Sequence, residues 1–250
     1  SDLAYRTFEK QFHNINTREE CKIYLIEGLP KVLPSFKESL SDVTKGYLQD
    51  MGVEVLTDSL VTDIQNDTVF YKIKNENKRI ESKTILWGAG VKASAMGKIL
   101  SEATGVKLDP VGRVMVNKDF SIPDYENIFV IGDLARLKDG KDFLPGVATV
   151  AMQSGEFVAQ LIKNRTSKAK RYKKEFKYKN KGSLAVIGRN KAVADLGYFT
   201  SKGFIAWILW IFIHILYLVG FGSKVSVVTK WALSYFNQDK GNRLIFSNKQ

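Results

Sequence analysis

Cysteine is nearly absent: the 250 residues hold one, Cys21, and histidine is almost as scarce, with only His13 and His214. One thiol excludes a disulfide scaffold, a CxxC redox pair and a four-cysteine zinc site. Two imidazoles leave too little for a histidine-based metal centre or a His-dependent triad. Proline is sparse as well, five residues beside 19 glycines, which excludes collagen-like and low-complexity chains. With so few reactive side chains, the chemistry expected of this chain is carried by a cofactor or lies outside it. Cys21, at the edge of a strand, reads as inert packing.

What is present in excess is positive charge, 38 Lys and Arg against 26 Asp and Glu. Nine of the basic residues fall between Arg165 and Lys181, where Glu175 is the one acid. Such a run suits nucleic acid, anionic lipid headgroups or plain solvation. Its neighbourhood favours lipid, because Phe204–Phe221 runs without a formal charge and carries Trp207, Trp210 and Tyr217. No helix-turn-helix, zinc-finger or RNP-type signature supports nucleic acid. As one helix, that stretch rises about 27 Å, just short of a roughly 30 Å hydrocarbon core. Gly220 and Gly222 are expected to break it, and the pattern over Val225–Phe236, interrupted by Lys230, reads as an interfacial helix. The tryptophans, Trp231 included, read as an interfacial anchor. His214 reads as a polar residue tucked against a neighbouring segment, with a proton relay as the alternative.

Along the chain, residues 1–20 read as a polar helix with Leu3, Phe8 and Phe12 on one side. Its abrupt start at Ser1-Asp2-Leu3 suggests that a preceding half is missing. Strands are expected at Lys22–Glu27, Val53–Leu56, Thr68–Ile73, Lys78–Ser82, Thr84–Trp87, Arg113–Val116, Asn127–Ile131 and Ser183–Gly188. Helices are expected at Ser39–Met51, stopped by Gly52, and at Gly146–Lys163. Strands alternating with helices indicate an α/β fold.

Two acids sit where chemistry is plausible. Glu27 ends a buried strand just before Gly28, the place where a dinucleotide-binding unit accepts hydrogen bonds from the adenosine ribose and repels a 2′-phosphate. Many surface strands also end in Glu, and no Gly-rich phosphate loop precedes this one. Asp133 follows Gly132 at the end of a second buried strand, positioned either to reach a ligand hydroxyl at the carboxyl end of a parallel sheet or to cap a turn. The helix from Gly146 would aim free N–H groups at the same crevice, a dipole suited to the charge on a reduced flavin.

Thr84-Ile-Leu-Trp-Gly-Ala-Gly-Val91, Asn127-Ile-Phe-Val-Ile-Gly-Asp-Leu-Ala135, Leu144-Pro-Gly-Val-Ala-Thr-Val-Ala-Met-Gln-Ser-Gly155 and Lys181-Gly-Ser-Leu-Ala-Val-Ile-Gly-Arg189 occur in a telling order. With Gly203–Gly222 and Asp239–Ile245, the chain resembles type II NADH:quinone oxidoreductases, the non-proton-pumping NADH dehydrogenases. The resemblance implies two Rossmann-like domains, for FAD and for NADH, plus C-terminal membrane-anchoring helices. It implies residues 1–91 as the later part of the NADH domain, 92–162 as the return into the FAD domain, and 163–250 as basic linker, strand and anchor. Asp133 would hold the FAD ribityl chain and Glu27 the NADH ribose. Gly88, Gly90, Gly132, Ala148 and Val150 would line the cofactors. Asp2 would sit near the nicotinamide–quinone region. Thr149 and Gln153 would face the quinone, with Ala148-Thr149 standing where many members have Ala-Gln. The implied partners are a quinone and anionic lipid, with no nucleic acid and a homodimer left open. The implied location is monotopic, on the cytoplasmic face of the cell inner membrane.

Overall fold

The computed structural model describes residues 4–5, 16–167, 175–218 and 220–236. The chain divides into two compact units, one formed by residues up to Ile85 together with those from Gly182 on, the other by Leu86–Lys181. Both mix helices with sheets, the α/β class expected from the sequence.

From residue 16 on, the first unit contains a short helix α1 (Thr17–Glu20), then β1 (Ile23–Ile26), α2 (Glu38–Asp50) and β2 (Val53–Leu56). β1 and β2 pair in parallel, Ile23 opposite Val53 and Ile26 opposite Leu56, so α2 is the crossover of a β-α-β unit. α2 forms because Leu40, Val43 and Leu48 recur at helical spacing, and it ends where Gly52 takes a φ of 78° that a side chain would resist. Val32, Val53 and Val55, with Ile23, Leu25 and Leu48, fill the space between helix and strands. Two buried hydroxyls on α2 are satisfied locally, Ser41 donating to the Val32 carbonyl and Thr44 to the Leu40 carbonyl.

An antiparallel meander follows, β3 (Ser59–Gln65), β4 (Thr68–Ile73) and β5 (Glu76–Glu81). Its first strand was not expected from the sequence, because Thr62, Asp63 and Gln65 break the apolar pattern and remain exposed. A second antiparallel sheet contains β11 (Ser183–Gly188), β12 (Lys191–Asp195) and β13 (Thr200–Lys202). β12 is covered on both faces. Val193 packs against Leu40 of α2 and against Phe36 just before it, while Ala192 and Ala194 pack against Ala206 of α5 (Gly203–Tyr217). Alternating side chains put these residues on opposite faces, and the two alanines let the helix come close. Lys37–Asp195 at 3.3 Å and Lys191–Asp50 at 3.1 Å tie the same strand to α2.

The apolar stretch is two helices. α5 ends at Tyr217 and α6 (Phe221–Phe236) begins after Gly220, whose φ is 83°. Gly222, expected to help break the run, lies inside α6, where glycine costs only about 1 kcal/mol. Among the described residues, no helix is long and apolar enough to cross a membrane.

The second unit contains α3 (Met96–Thr104), β6 (Val114–Val116), β7 (Ser121–Ile122), β8 (Tyr125–Phe129), β9 (Ala135–Asp139), β10 (Asp142–Phe143) and α4 (Ala148–Thr166). α4 buries Val150, Ser154, Val158 and Leu161, a stripe of steps of four and three. Phe120, Leu137 and Leu144 complete that core with Val150 and Val158, and Val106, Val114, Ile122 and Val130 form a second one.

Two expectations fail in this unit. Thr84–Trp87 is not a strand: it finds no partner strand among the described residues, and Leu86 stays 91% exposed. An apolar run alone cannot make a strand when its N–H and C=O groups have nothing to bond. The segment before Asp133 does not run in a parallel sheet either. β8 pairs antiparallel with β7, and it is β9, after Asp133, that pairs in parallel with β6.

Candidate functional site

The turn between β8 and β9 builds the most pointed constellation. Gly132–Leu134 forms a single 3-10 turn, entered at Gly132 with a φ of 67°. A Cβ at Gly132 would lie 3.7 Å from Ala151 Cβ, so α4 rests closely on this turn. Ser154, fully buried on α4, receives the Gly132 N–H at 3.4 Å and donates to the Ala151 carbonyl at 2.8 Å. The next residue, Asp133, is exposed. Among the described residues its carboxylate has no hydrogen-bond or ion-pair partner, and Oδ1 lies 3.8 Å from where a Gly146 Cβ would stand.

α4 begins just beyond Gly146 and is left open at its start. Val147 is extended and provides no side-chain cap. The N–H groups of Val150 and Ala151 both reach the Val147 carbonyl, whereas those of Ala148 and Thr149 have no partner among the described residues. An uncommitted carboxylate therefore stands beside uncommitted donors. The carboxylate can accept from ligand hydroxyls, and the N–H groups with the helix dipole favour an electron-rich oxygen.

Farther along α4, Thr149 Oγ1 and Tyr178 Oη are 2.8 Å apart. Gln153 is engaged at both ends: its Nε2 donates to the Lys179 carbonyl and its Oε1 accepts the Lys179 N–H, each at 3.0 Å. Residues 175–181 are thus held along the helix, with Phe176 at 4.9 Å from Phe120 and 5.5 Å from Phe157, ring centre to ring centre.

Of the residues singled out in the sequence, Gly132, Asp133, Ala148, Thr149, Val150 and Gln153 come together here. Val150 is buried in the core, so only its backbone can serve a ligand. Gly88 and Gly90 belong to the same unit but lie in the irregular segment after Ile85, where a Cβ on either would meet nothing within 4 Å. Asp2 lies outside the described residues. Tyr178 and Ser154 were not anticipated. Tyr178 lies inside the stretch that reads as basic linker, although the alternation of Phe176 and Tyr178 with charged residues is the mark of an extended segment with one face covered.

In the other unit, Glu27 closes β1. Its N–H bonds the Leu56 carbonyl at 2.8 Å and its own carbonyl receives the Ser59 N–H at 2.9 Å, fixing the strand end. The half-buried carboxylate uses Oε1 to accept the Leu29 N–H at 2.9 Å. The other oxygen has no partner among the described residues. Lys31, four residues on, donates to the Phe36 carbonyl at 3.2 Å.

A sequence model of the pyridine nucleotide-disulphide oxidoreductase family matches residues 10–155, and one of the NDH2 C-terminal domain matches residues 180–238. The chain belongs to the pyridine nucleotide-disulphide oxidoreductase family. Within it, the similar proteins are type II NADH:quinone oxidoreductases. That of Mycobacterium tuberculosis named Ndh is 36% identical over 247 residues, covering 98% of this chain and 52% of its own. That of Staphylococcus aureus is 34% identical over 179 residues, covering 70% of this chain and 42% of its own. The chain thus spans about half the length of the curated relatives it matches. Among solved structures, NDH2 from Plasmodium falciparum in complex with NADH superposes with a TM-score of 0.84 at 19% identity, covering 98% of this chain and 63% of that one.

Proposed function

We propose that this chain is part of a flavin-dependent NADH:quinone oxidoreductase, with FAD held at Asp133 and α4 and NADH at the end of β1. The observation that carries the reading is the pairing of the partnerless Asp133 carboxylate with the uncapped start of α4. FAD fits that donor set, since its ribityl hydroxyls can be accepted by Asp133 and its pyrimidine carbonyls can be met by the Ala148 and Thr149 N–H groups. When bound, the flavin supplies the two-electron chemistry between nicotinamide and quinone, which no side chain here could supply. Gly132 lets the backbone turn sharply so that Asp133 is exposed while α4 stays close. Glu27, with one oxygen fixing the Leu29 N–H and one to spare, takes the adenosine ribose of NADH. Residues 1–91 act as the later part of an NADH domain, 92–162 as part of an FAD domain, and 163–250 as linker and anchor. Both nucleotide domains are read as Rossmann-like. Gly88 and Gly90 lie on the cofactor side of that arrangement, and Thr149 on the quinone side.

The C-terminal helices hold the protein on a bilayer without crossing it. α5 turns Ala206 to the sheet and leaves Ile205, Ile208, Phe212 and Leu216 exposed, and α6 exposes Val225, Val228 and Leu233. Steps of three and four place the exposed α5 residues on one face. Exposed apolar area of this kind, in a chain that also carries a basic run at 165–181, fits the cytoplasmic surface of a membrane that carries anionic lipid and supplies the quinone.

The test is flavin content. Asp133→Ala in the holoenzyme is expected to lower bound FAD, read from the flavin absorption band after desalting, while the circular dichroism spectrum is unchanged. Full flavin retention in a folded Asp133→Ala protein would overturn the assignment.

A further inference from the structure

The Thr149–Tyr178 pair has hydrogen-bonding capacity that the protein itself does not use. Two hydroxyls 2.8 Å apart share one hydrogen bond, so whichever donates, the other keeps a free O–H. Among the described residues neither oxygen has another partner. Both residues are half-buried, so the pair is neither lost in the core nor freely hydrated.

Its placement is over-determined, which an incidental surface contact does not require. Gln153 clamps the backbone of Lys179 through both of its polar atoms. The Phe176 N–H bonds the Lys118 carbonyl at 2.9 Å, and Lys118 pairs with Glu175 at 2.8 Å. Phe176 is locked between Phe120 and Phe157, and the Tyr178 ring packs on the same core. Restraints on both sides of Tyr178 thus bring its hydroxyl to the first turn of α4. Ordering a seven-residue segment costs roughly 1–2 kcal/mol per residue in backbone entropy, so this geometry is actively maintained.

We propose that the Thr149–Tyr178 pair donates a hydrogen bond to a carbonyl oxygen that gains negative charge on two-electron reduction. This rests on the flavoenzyme reading given above. Two sources share that chemistry, a pyrimidine carbonyl of the flavin and a carbonyl of the quinone. The free O–H reaches the first turn of α4, where the Ala148 and Thr149 N–H groups also lack partners among the described residues, so three donors are available there to an oxygen of growing charge. Gln153, bonded to Lys179 through both its nitrogen and its oxygen, acts by holding Tyr178 in place.

The experiment compares Tyr178→Phe, Thr149→Val and Thr149→Ser with the unaltered flavin-loaded holoenzyme. Flavin content, thermal midpoint, flavin midpoint potential and the KM and kcat for a short-chain quinone are measured for each. If the acceptor is the flavin, Tyr178→Phe and Thr149→Val make the potential more negative, because the reduced form loses a donor, and the quinone KM stays put. If the acceptor is the quinone, the potential is unchanged and KM rises about five- to tenfold at retained kcat, the effect of one lost hydrogen bond. Thr149→Ser restores wild-type values in either case. Should Tyr178→Phe lose its fold, Thr149→Val, which conserves shape, decides alone. Unchanged potential and unchanged KM in a folded, flavin-loaded variant overturn the proposal. A holoenzyme preparation that binds no flavin at all overturns the flavoenzyme reading first, and this proposal with it.

Discussion

Asp109 Oδ2 lies 2.7 Å from Arg113 Nη2, in the loop just ahead of β6. The same carboxylate accepts the Arg113 Nε–H at 2.7 Å and, through Oδ1, the backbone N–H groups of Arg113 at 2.8 Å and Val111 at 3.1 Å. Arg136 of β9 approaches at 3.5 Å and covers the Phe143 ring at 4.0 Å. Only 8% of the Asp109 side chain is exposed, so its charge survives by being surrounded with donors. Burial pushes its pKa up, but the Arg113 bonds and charge outweigh that and hold it below the ordinary value.

A lowered folded-state pKa means that the unfolded chain takes up the proton first. The stabilisation is therefore present above the ordinary carboxylate range and is lost as pH falls through the lower folded value. Asp109→Asn is expected to cost about 1–3 kcal/mol near neutrality, because two arginines and two backbone donors lose a charged acceptor. In urea titrations the gap between the variant and wild type should narrow steadily below about pH 4. A gap that is independent of pH would contradict the charge-based account.

Gly97 of α3 has no room for a side chain. A Cβ there would stand 2.5 Å from the Gly112 carbonyl oxygen and 3.2 Å from Leu134 Cδ1. Gly97→Ala should destabilise the protein by about 1–3 kcal/mol, the usual range for overpacking, against the gain that alanine normally brings inside a helix. Chemical denaturation gives the sign directly.

Glu27 can be separated from its loop. Glu27→Gln keeps an acceptor for the Leu29 N–H but removes the charge. On the proposed reading the KM for NADH rises several-fold at nearly constant kcat, because the ribose is remote from the reacting atoms. Use of NADPH relative to NADH improves, since the charge no longer repels a 2′-phosphate. Steady-state kinetics with both nucleotides checks this, and a fall in kcat alone would refute the ribose role.

Membrane attachment is better tested by charge than by deletion. Removing α5 would uncover Ala192 and Ala194, which it buries, and would confuse release with unfolding. Ile205→Glu together with Phe212→Glu leaves that packing alone. The wild type should withstand a high-salt wash of liposomes and yield to detergent, whereas the double variant should be released by salt. Flotation at low and high ionic strength reads both. Retention of the variant at high salt would move the anchoring face elsewhere.

Much of this was legible in the sequence. β1, β2 and the two long helices α2 and α4 announce themselves by uninterrupted apolar runs or clean helical spacing. Asp133 stands out in the sequence because the apolar run Ile128–Ile131 leads straight into Gly-Asp, although β8 itself stops at Phe129. What escaped depended on partners. Thr84–Trp87 has strand-forming residues and no strand to pair with, while Ser59–Gln65 lacks the pattern and is held by β4. Likewise, Tyr178 sits in a lysine-rich run whose composition conceals the alternation that places it on α4. Side chains that act through long-range contacts leave only faint local signals.

Because Val193 faces α2 and its two alanine neighbours face α5, β12 couples two helices whose proposed duties differ, one serving the nucleotide strands and the other the bilayer. A methyl group is all that separates strand from helix on the α5 side. Bulkier replacements at Ala192 or Ala194 would tilt α5 away from the sheet, and on the proposed reading would change the angle at which its apolar face docks without touching that face.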